Sequence, residues 1–237
     1  MLNNFSLSKR LQAVFELVPE VAYILDIGTD HAYLPLAIMQ RDHVKQIFAS
    51  EAARGPFENA KSNIAAANYS KDISMLLGDG FEVVKAIEKS EKIEAVTICG
   101  MGGELIADII KDGVEQHLLP AQATLVLQPN NHEKKLRQQL MSLNYKIIDE
   151  QVVTESSHFY EIIKAVPAKD SVQYSDDELI FGPQLLKTRS KVFIEKWHKK
   201  LVHFKKIEQS LKYSQKTSAQ RIKEIKQMIA RIEKVIK

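Results

Sequence analysis

Asp26-Ile27-Gly28-Thr29-Asp30-His31 places two carboxylates, a hydroxyl and an imidazole around one glycine, directly after an apolar run. A glycine there lets the backbone turn tightly and come close to a bound group. A dinucleotide fingerprint needs Gly-x-Gly-x-x-Gly; here Asp30 fills the second glycine position and Tyr33 the third. The extra carboxylate suits a cationic or amine-bearing ligand better than a pyrophosphate. An ordinary strand-to-helix turn with a capping aspartate is the plainer reading, because such motifs are weak in isolation.

Three other positions strengthen the chemical reading. Glu51 lies about 20 residues on, where an acid accepts hydrogen bonds from ribose hydroxyls. Gly78-Asp79-Gly80 offers a carboxylate able to accept from an adenine amino group. Gly100-Met101-Gly102-Gly103 has glycines that let backbone approach a ligand and an incoming substrate. Each has a plainer reading: Glu51 as a helix cap, Asp79 as a turn residue, His31 as a cap or loop partner, Tyr33 as helix packing. All four runs falling at successive strand ends is harder to obtain by chance. Cys99 reads as a buried strand-end residue, not a catalytic thiolate.

The elements that must position these residues alternate. Leu7, Leu11, Val14, Phe15 and Val18 predict an amphipathic helix over 6–18, with Ser6 as N-cap, Lys9 and Arg10 on its polar face, and Pro19 ending it. Strands follow at Tyr23–Ile27, Gln46–Glu51, Ile73–Leu77, Ala95–Cys99 and Thr124–Gln128, the last stopped by Pro129. Helices between them cover Leu34–Met39, Gly55–Asn68, a stretch ending at Lys111, and 132–142. Tyr145–Thr154 and Phe159–Val166 read as an antiparallel hairpin turning at Glu155-Ser156-Ser157. Five β/α units with a terminal hairpin form an α/β layout of Rossmann-like, class I methyltransferase type, with seven mostly parallel strands. The expected organisation is a catalytic domain over 1–167, a linker over 168–184 and a basic helical hairpin, or coiled coil, over 185–237. Its seam is Ile194, Trp197, Leu201, Phe204 and Leu211 against Ile222, Ile225, Ile229, Ile232 and Ile236, with a polar break at Tyr213–Ser218.

Composition narrows the classes. The chain has 237 residues and is 45% hydrophobic and 27% charged, as soluble globular proteins are. No stretch resembles a signal peptide or reaches the ~20 apolar residues of a membrane span. One cysteine excludes an internal disulfide and fits a reducing cytoplasm, and nothing has zinc-ligand spacing. The net charge of +3 hides an asymmetry. Residues 187–237 carry 16 Lys and Arg against four acids, a net +12, and the remainder carries 17 bases and 26 acids, a net −9. A basic tail on an acidic body predicts a polyanionic partner, against the plainer reading of a solvated helical face.

The chain resembles the bacterial tRNA (adenine-22-N1)-methyltransferase family. The resemblance rests on Leu7-Ser8-Lys9-Arg10-Leu11, Asp26 to His31, Gly55-Pro56, Gly78-Asp79-Gly80, Gly100 to Gly103, Leu127-Gln128-Pro129-Asn130 and Tyr160-Glu161-Ile162-Ile163. It implies S-adenosylmethionine as methyl donor, S-adenosylhomocysteine as product, and an adenine N1 in the D-region of tRNA as acceptor. On that reading Asp26, Gly28, Thr29, Asp30, Glu51, Gly78, Asp79, Gly80, Gly100, Met101 and Gly102 bind the cofactor. Asp30, His31, Gly100 and Met101 position the reacting groups. Lys9, Arg10, Tyr33, Gln128, Pro129, Asn130, Lys199, Lys200, Lys205 and Lys206 meet the RNA. A neutral adenine N1 attacks with its own lone pair, so alignment and electrostatics matter more than a general base. The fourth strand lacks the Asn/Asp-Pro-Pro-aromatic run of enzymes that methylate exocyclic amines. The alternatives are a nicotinamide-dependent oxidoreductase and a non-catalytic RNA-binding protein. Neither a membrane nor a metal is expected, and a monomer is the expected oligomeric state.

Overall fold

The computed structural model describes residues 6–88, 91–212 and 219–237. Helix α1 (Lys9–Leu17) is followed by β1 (Tyr23–Ile27), α2 (Tyr33–Ile38), β2 (Gln46–Glu51), α3 (Arg54–Ala66) and β3 (Ile73–Leu77). A 3-10 helix (Gly80–Ala86) leads to β4 (Ala95–Met101), α4 (Gly103–Glu115), β5 (Thr124–Pro129) and α5 (Glu133–Ser142). The hairpin β6 (Tyr145–Glu155) and β7 (His158–Pro167) precedes α6 (Asp176–Phe181), α7 (Leu185–Thr188), α8 (Lys191–Lys212) and α9 (Ala219–Val235).

The seven strands lie in the order β3-β2-β1-β4-β5-β7-β6. β1 pairs in parallel with both β2 and β4, while β7 runs antiparallel to β5 and to β6. The carboxyl ends of β1, β2, β3, β4 and β5 therefore share one edge, where open α/β sheets bind ligands. Two apolar clusters cover the sheet. One centres on Leu25, Val96, Ile106 and Leu127; the other, on Val14, Ile24, Ile47 and Ile162.

Several boundaries differ from the sequence expectation. α1 is capped by Ser8, whose hydroxyl accepts from the Leu11 amide at 3.3 Å, so Ser6 lies outside it. β4 runs past Cys99 to Met101 because Gly100, at φ +77°, shifts the register against β5. Pro129 is the last residue of β5 instead of its stop. The 168–184 stretch contains α6, which opens on a capping box of Ser175 and Glu178. The break at Tyr213–Ser218 lies outside the described residues.

α8 and α9 close a third cluster. Trp197, Leu201, Ile225, Ile229 and Ile232 bury together with Phe181, Leu185 and Val152 of the hairpin. Beside it lies a charged network the sequence did not reveal. Arg137 is fully buried; its Nε donates to Glu150 Oε1 at 2.8 Å and its Nη2 to Glu161. Lys196, also buried, donates to Glu161 Oε1 at 2.7 Å and Glu133 Oε1 at 2.9 Å. The network ties α5, both hairpin strands and α8 to one another. No helix among the described residues is long and apolar enough to cross a membrane.

Candidate active site

The turn after β1 is built by backbone positions few residues tolerate. Gly28 has φ +74°, and a Cβ there would lie 2.1 Å from Met101 Cε. Asp30 and Ala32 also have positive φ, at 52° and 60°, a conformation that costs a non-glycine residue about 1 kcal/mol or more. The neighbours hold it in place. The Gly28 and Thr29 amides both donate to the Ser50 carbonyl at 2.9 Å, and the Asp30 amide donates to Glu51 Oε2 at 3.3 Å. The other Glu51 oxygen accepts from the Ala52 and Ala53 amides at 3.0 and 3.2 Å. Glu51 thus also serves the start of α3, which has no capping side chain of its own.

These residues border a cavity of about 330 Å³ lined by Asp26, Thr29, Asp30, His31, Tyr33 and Glu51 on one side and by Arg10, Cys99, Gly100 and Met101 on the other. Asp26 is only 3% exposed, and Thr97 donates its hydroxyl to the Asp26 carboxylate. Burial pushes the Asp26 pKa up, the Thr97 and Thr29 hydroxyls oppose that, and the nearby Glu51 charge adds to it. Ionised Asp26 is therefore costly until a positive group arrives. Burial also pushes the Cys99 thiol far up, with Asp26 adding and Arg10 opposing, so it supplies no thiolate near neutral pH.

The opposite wall is held from β5. Buried Gln128 accepts from the Gly100 amide at 3.1 Å and from the Arg10 guanidinium. Asn130 donates its side-chain amide to the Gly100 carbonyl at 2.7 Å, and its backbone amide bonds the Met101 carbonyl at 2.8 Å. Gly103 packs under the following loop, where a Cβ would lie 2.6 Å from the Asn131 carbonyl oxygen. Arg10 lies 5.6 Å from the centre of the Tyr160 ring. His31 and Tyr33 stack at the mouth, ring centres 5.5 Å apart; Tyr33 is 47% exposed.

The structure thus brings most of the sequence-derived residues together, with some redistribution. Arg10 lines the cleft itself. Gln128 and Pro129 are buried in its support, and only Asn130 of that run is exposed. Asp79 and Gly80 line a separate, smaller cavity of about 150 Å³, with Phe81, Glu82 and Asp112, while Gly78 packs beside Val83. Gly102 caps the start of α4. Lys9 lies on a separate groove with Gln151 and Val192. Lys199, Lys200, Lys205 and Lys206 are exposed on α8; Lys199 sits over the Phe159 ring at 4.8 Å and Lys205 pairs with Glu233 at 2.7 Å. Thr97 and Ser50, which hold Asp26 and its loop, gave no signal beyond lying on apolar strands. Among the described residues no group of three or more potential ligands could hold a metal ion.

A seven-stranded mixed sheet of this order, with an acid-lined cleft at the ends of β1, β2 and β4, defines a Rossmann-like methyltransferase of class I. The family model for tRNA (adenine(22)-N(1))-methyltransferase matches residues 24–234. The tRNA (adenine(22)-N(1))-methyltransferase of Bacillus subtilis (strain 168) is 35% identical over 241 residues, covering 99% of this chain and 99% of the relative. The structure of Streptococcus pneumoniae Sp1610 in complex with S-adenosyl-L-methionine superposes with a TM-score of 0.85 at 32% identity, over 98% of this chain and 100% of the other. That of M. capricolum TrmK in complex with S-adenosyl-homocysteine gives 0.82 at 29% identity, over 98% and 99%. The chain belongs to the tRNA (adenine(22)-N(1))-methyltransferase family and is an enzyme of that class.

The raised Asp26 pKa carries a stability consequence. A folded-state pKa above the unfolded one means that stability falls as pH rises from the ordinary carboxylate value through the raised one, and stays reduced above it. Asp26→Asn, which removes the charge and keeps the shape, is expected to raise the denaturant midpoint of the ligand-free protein at neutral pH and to flatten its dependence on pH in the acid range. An unchanged or lower midpoint, measured by urea unfolding, contradicts this account of Asp26.

Proposed function

We propose that this chain methylates N1 of adenine 22 of tRNA with S-adenosylmethionine, in the cleft between the β1 turn and the Gly100–Gly103 run, in the cytoplasm. The observation that carries the reading is buried Asp26 with Glu51 beside it, two acids in a cleft where no ion pair engages Asp26 among the described residues. That pair of acceptors fits a cationic ligand with an ammonium and ribose hydroxyls to donate. When bound, the cofactor supplies an electrophilic methyl group.

This chain's residues then have distinct tasks. Asp26, Gly28, Thr29 and Asp30 hold the amino-acid end, and Glu51 takes the ribose hydroxyls. Asp79, at the carboxyl end of β3, takes the adenine amino group, and Gly78, Gly80 and Gly102 leave room for the ligand. If β2 takes the ribose, the amino-acid end extends past β1 toward β4, since adjacent strands lie about 4.8 Å apart. Arg10 stands there beside Gly100, with a single protein hydrogen bond from its guanidinium, to Gln128, among the described residues. Its remaining donors suit the cofactor's carboxylate, so Arg10 belongs to the cofactor side in this reading.

N1 lies on the Watson–Crick edge, so the target adenine must be unpaired or flipped out, at a cost of a few kcal/mol. The exposed His31–Tyr33 stack suits such a base. Gly100 and Met101 bring backbone close to it, with Asn130 at the rim. Asp30 faces a ring that turns cationic as the bond forms, and no residue need remove a proton first. The 185–237 helices form a basic RNA-binding unit beside the catalytic one over 1–167, and Lys9, Lys199, Lys200, Lys205 and Lys206 meet phosphates.

Nucleoside mass mapping tests the reaction. Purified protein, S-adenosylmethionine and unmodified tRNA are expected to yield 1-methyladenosine at position 22; methylation elsewhere, or none, rejects the reading. Calorimetry tests Arg10. Arg10→Gln is expected to weaken S-adenosylmethionine binding about tenfold and leave the decarboxylated analogue unaffected. Equal losses for both ligands return Arg10 to another task. For the tail, Lys199→Glu combined with Lys200→Glu and Lys206→Glu is expected to weaken tRNA binding at least tenfold and lower its salt slope. Unchanged affinity removes that face from the interface.

A further inference from the structure

The wall of the cleft formed by Gly100 to Gly103 does not stand alone. It is braced from below by the loop Asn130–His132. The Asn130 amide bonds the Met101 carbonyl at 2.8 Å, and the Gly103 amide bonds the Asn131 carbonyl at 2.9 Å. His132 adopts the left-handed conformation, φ 55°, and its carbonyl oxygen would lie 2.7 Å from any Cβ at residue 103. Such a loop cannot shift without moving the wall. The next residue, Glu133, opens α5 and carries a carboxylate that meets Lys196 of α8 at 2.9 Å. Lys196 is itself fixed by Glu161 of β7 at 2.7 Å, and Glu161 by Arg137.

The Lys196 charge pushes the Glu133 pKa down in spite of its partial burial, so the pair is ionised near neutral pH. Nearby, His132 Nδ1 lies 3.4 Å from Glu104, the residue after Gly103, at the exposed side of the loop. Lys134, the adjacent residue, pairs with exposed Asp176 at 3.1 Å on the outer side of the same helical turn. One inward ion pair thus joins the basic helix to the residue that follows the bracing loop.

We propose that Glu133 is a positioning residue for the methyl transfer. Through its ion pair with Lys196 it locks the Asn130–His132 loop, and hence the Gly100–Gly103 wall, to helix α8. The helix proposed to hold RNA and the wall proposed to receive the base are thereby held in one fixed relation. This rests on the reading of that wall as the acceptor side. The contact supplies no proton and touches no substrate; its effect is on the position of Gly100 and Met101.

Glu133→Ala is the informative variant. It leaves Lys196 paired with Glu161 and places a good helix former in the first turn. Hydrogen exchange at the Asn130 and Gly103 amides is expected to become about tenfold faster, while the Gly28 and Thr29 amides, bound to Ser50, keep their wild-type rates. The kcat for tRNA is expected to fall about tenfold, with the affinity for S-adenosylhomocysteine and the KM for tRNA within twofold of wild type. Glu133→Gln, which keeps an acceptor for Lys196, is expected to recover most of both effects, and Lys134→Ala to show neither. Unchanged exchange at Asn130 and Gly103 overturns the proposal. So does faster exchange at all four amides, which would mark Glu133 as a general stabiliser only. A wild-type protein that leaves tRNA unmethylated would strike the functional reading, and the exchange comparison would still decide the coupling.

Discussion

Complete burial of the Arg137 guanidinium is the constraint around which the second half of the molecule is arranged. An unpaired charge in that position would cost several kcal/mol, so the fold must bring its partners to it. Glu150 and Glu161 supply two carboxylates from neighbouring strands of the hairpin. The Glu150 carboxylate in turn accepts the Gln184 amide at 2.8 Å, which sets the turn between α6 and α7. Gly182 sits in that turn, where a Cβ would lie 2.7 Å from Glu150 and 2.8 Å from Arg137. Glu161 has a second oxygen to offer, and Lys196 of α8 takes it. The basic helices are thus joined to the sheet by charge as well as by the Phe181, Phe193 and Trp197 contacts.

The cleft uses the opposite arrangement. In the network each acid meets a fixed cation; at the ends of β1 and β2, Asp26 and Glu51 meet hydroxyls and backbone amides. Hydroxyl and amide donors orient a carboxylate without neutralising it, so the positive charge is left for the ligand to provide. Folding has already met the desolvation cost of Asp26, and a cationic ligand relieves it. Such preorganisation makes a cofactor site out of a strand end. The basic tail and the acidic cleft carry opposite signs, which suits the proposed division between phosphates and a sulfonium amino acid.

The sheet was legible in the sequence because buried parallel strands read as short apolar runs closed by turn residues. β1, β2 and β3 begin and end where those runs do. The residues that line the cleft were legible for a related reason: Asp26, Glu51 and Gly100 mark where apolar runs stop. Support from across the sheet was harder to read. Arg10 lies on a polar helix face, and nothing local says that the face turns into the cleft; its partner Gln128 is 118 residues away. Lys196 looked like one basic residue among the tail's sixteen, since its acids are 35 and 63 residues distant. One signal was available. Glu161 interrupts an apolar alternation in β7, and a charge on an inward strand position requires a buried partner. α6 was read as part of the 168–184 linker, although Ser175 and Glu178 stand at capping-box spacing, because its six residues are too few to show periodicity.

Methyl transfer to a ring nitrogen needs no group that removes a proton from the acceptor. Adenine N1 brings its own lone pair, so the barrier is lowered by holding donor and acceptor in line. Alignment demands walls that do not yield, and both walls here are built from positions with no freedom. On one side Gly28 is pressed against Met101 and the next turns are left-handed; on the other Gly103 is pressed under two carbonyls. A side chain at Gly28 would be strained by its positive φ and would displace the Met101 side chain, and one at Gly103 would push the wall off its supporting loop. His31 and Asp30 stand on the side where the base is proposed to enter, but a neutral adenine N1 carries no proton for them to remove. Here the groups beside Gly100 are a thiol held protonated by burial and a guanidinium, neither suited to act as a base near neutral pH. The chemistry therefore rests on position and charge, and the ion pairs that carry the second half of the fold also fix the position.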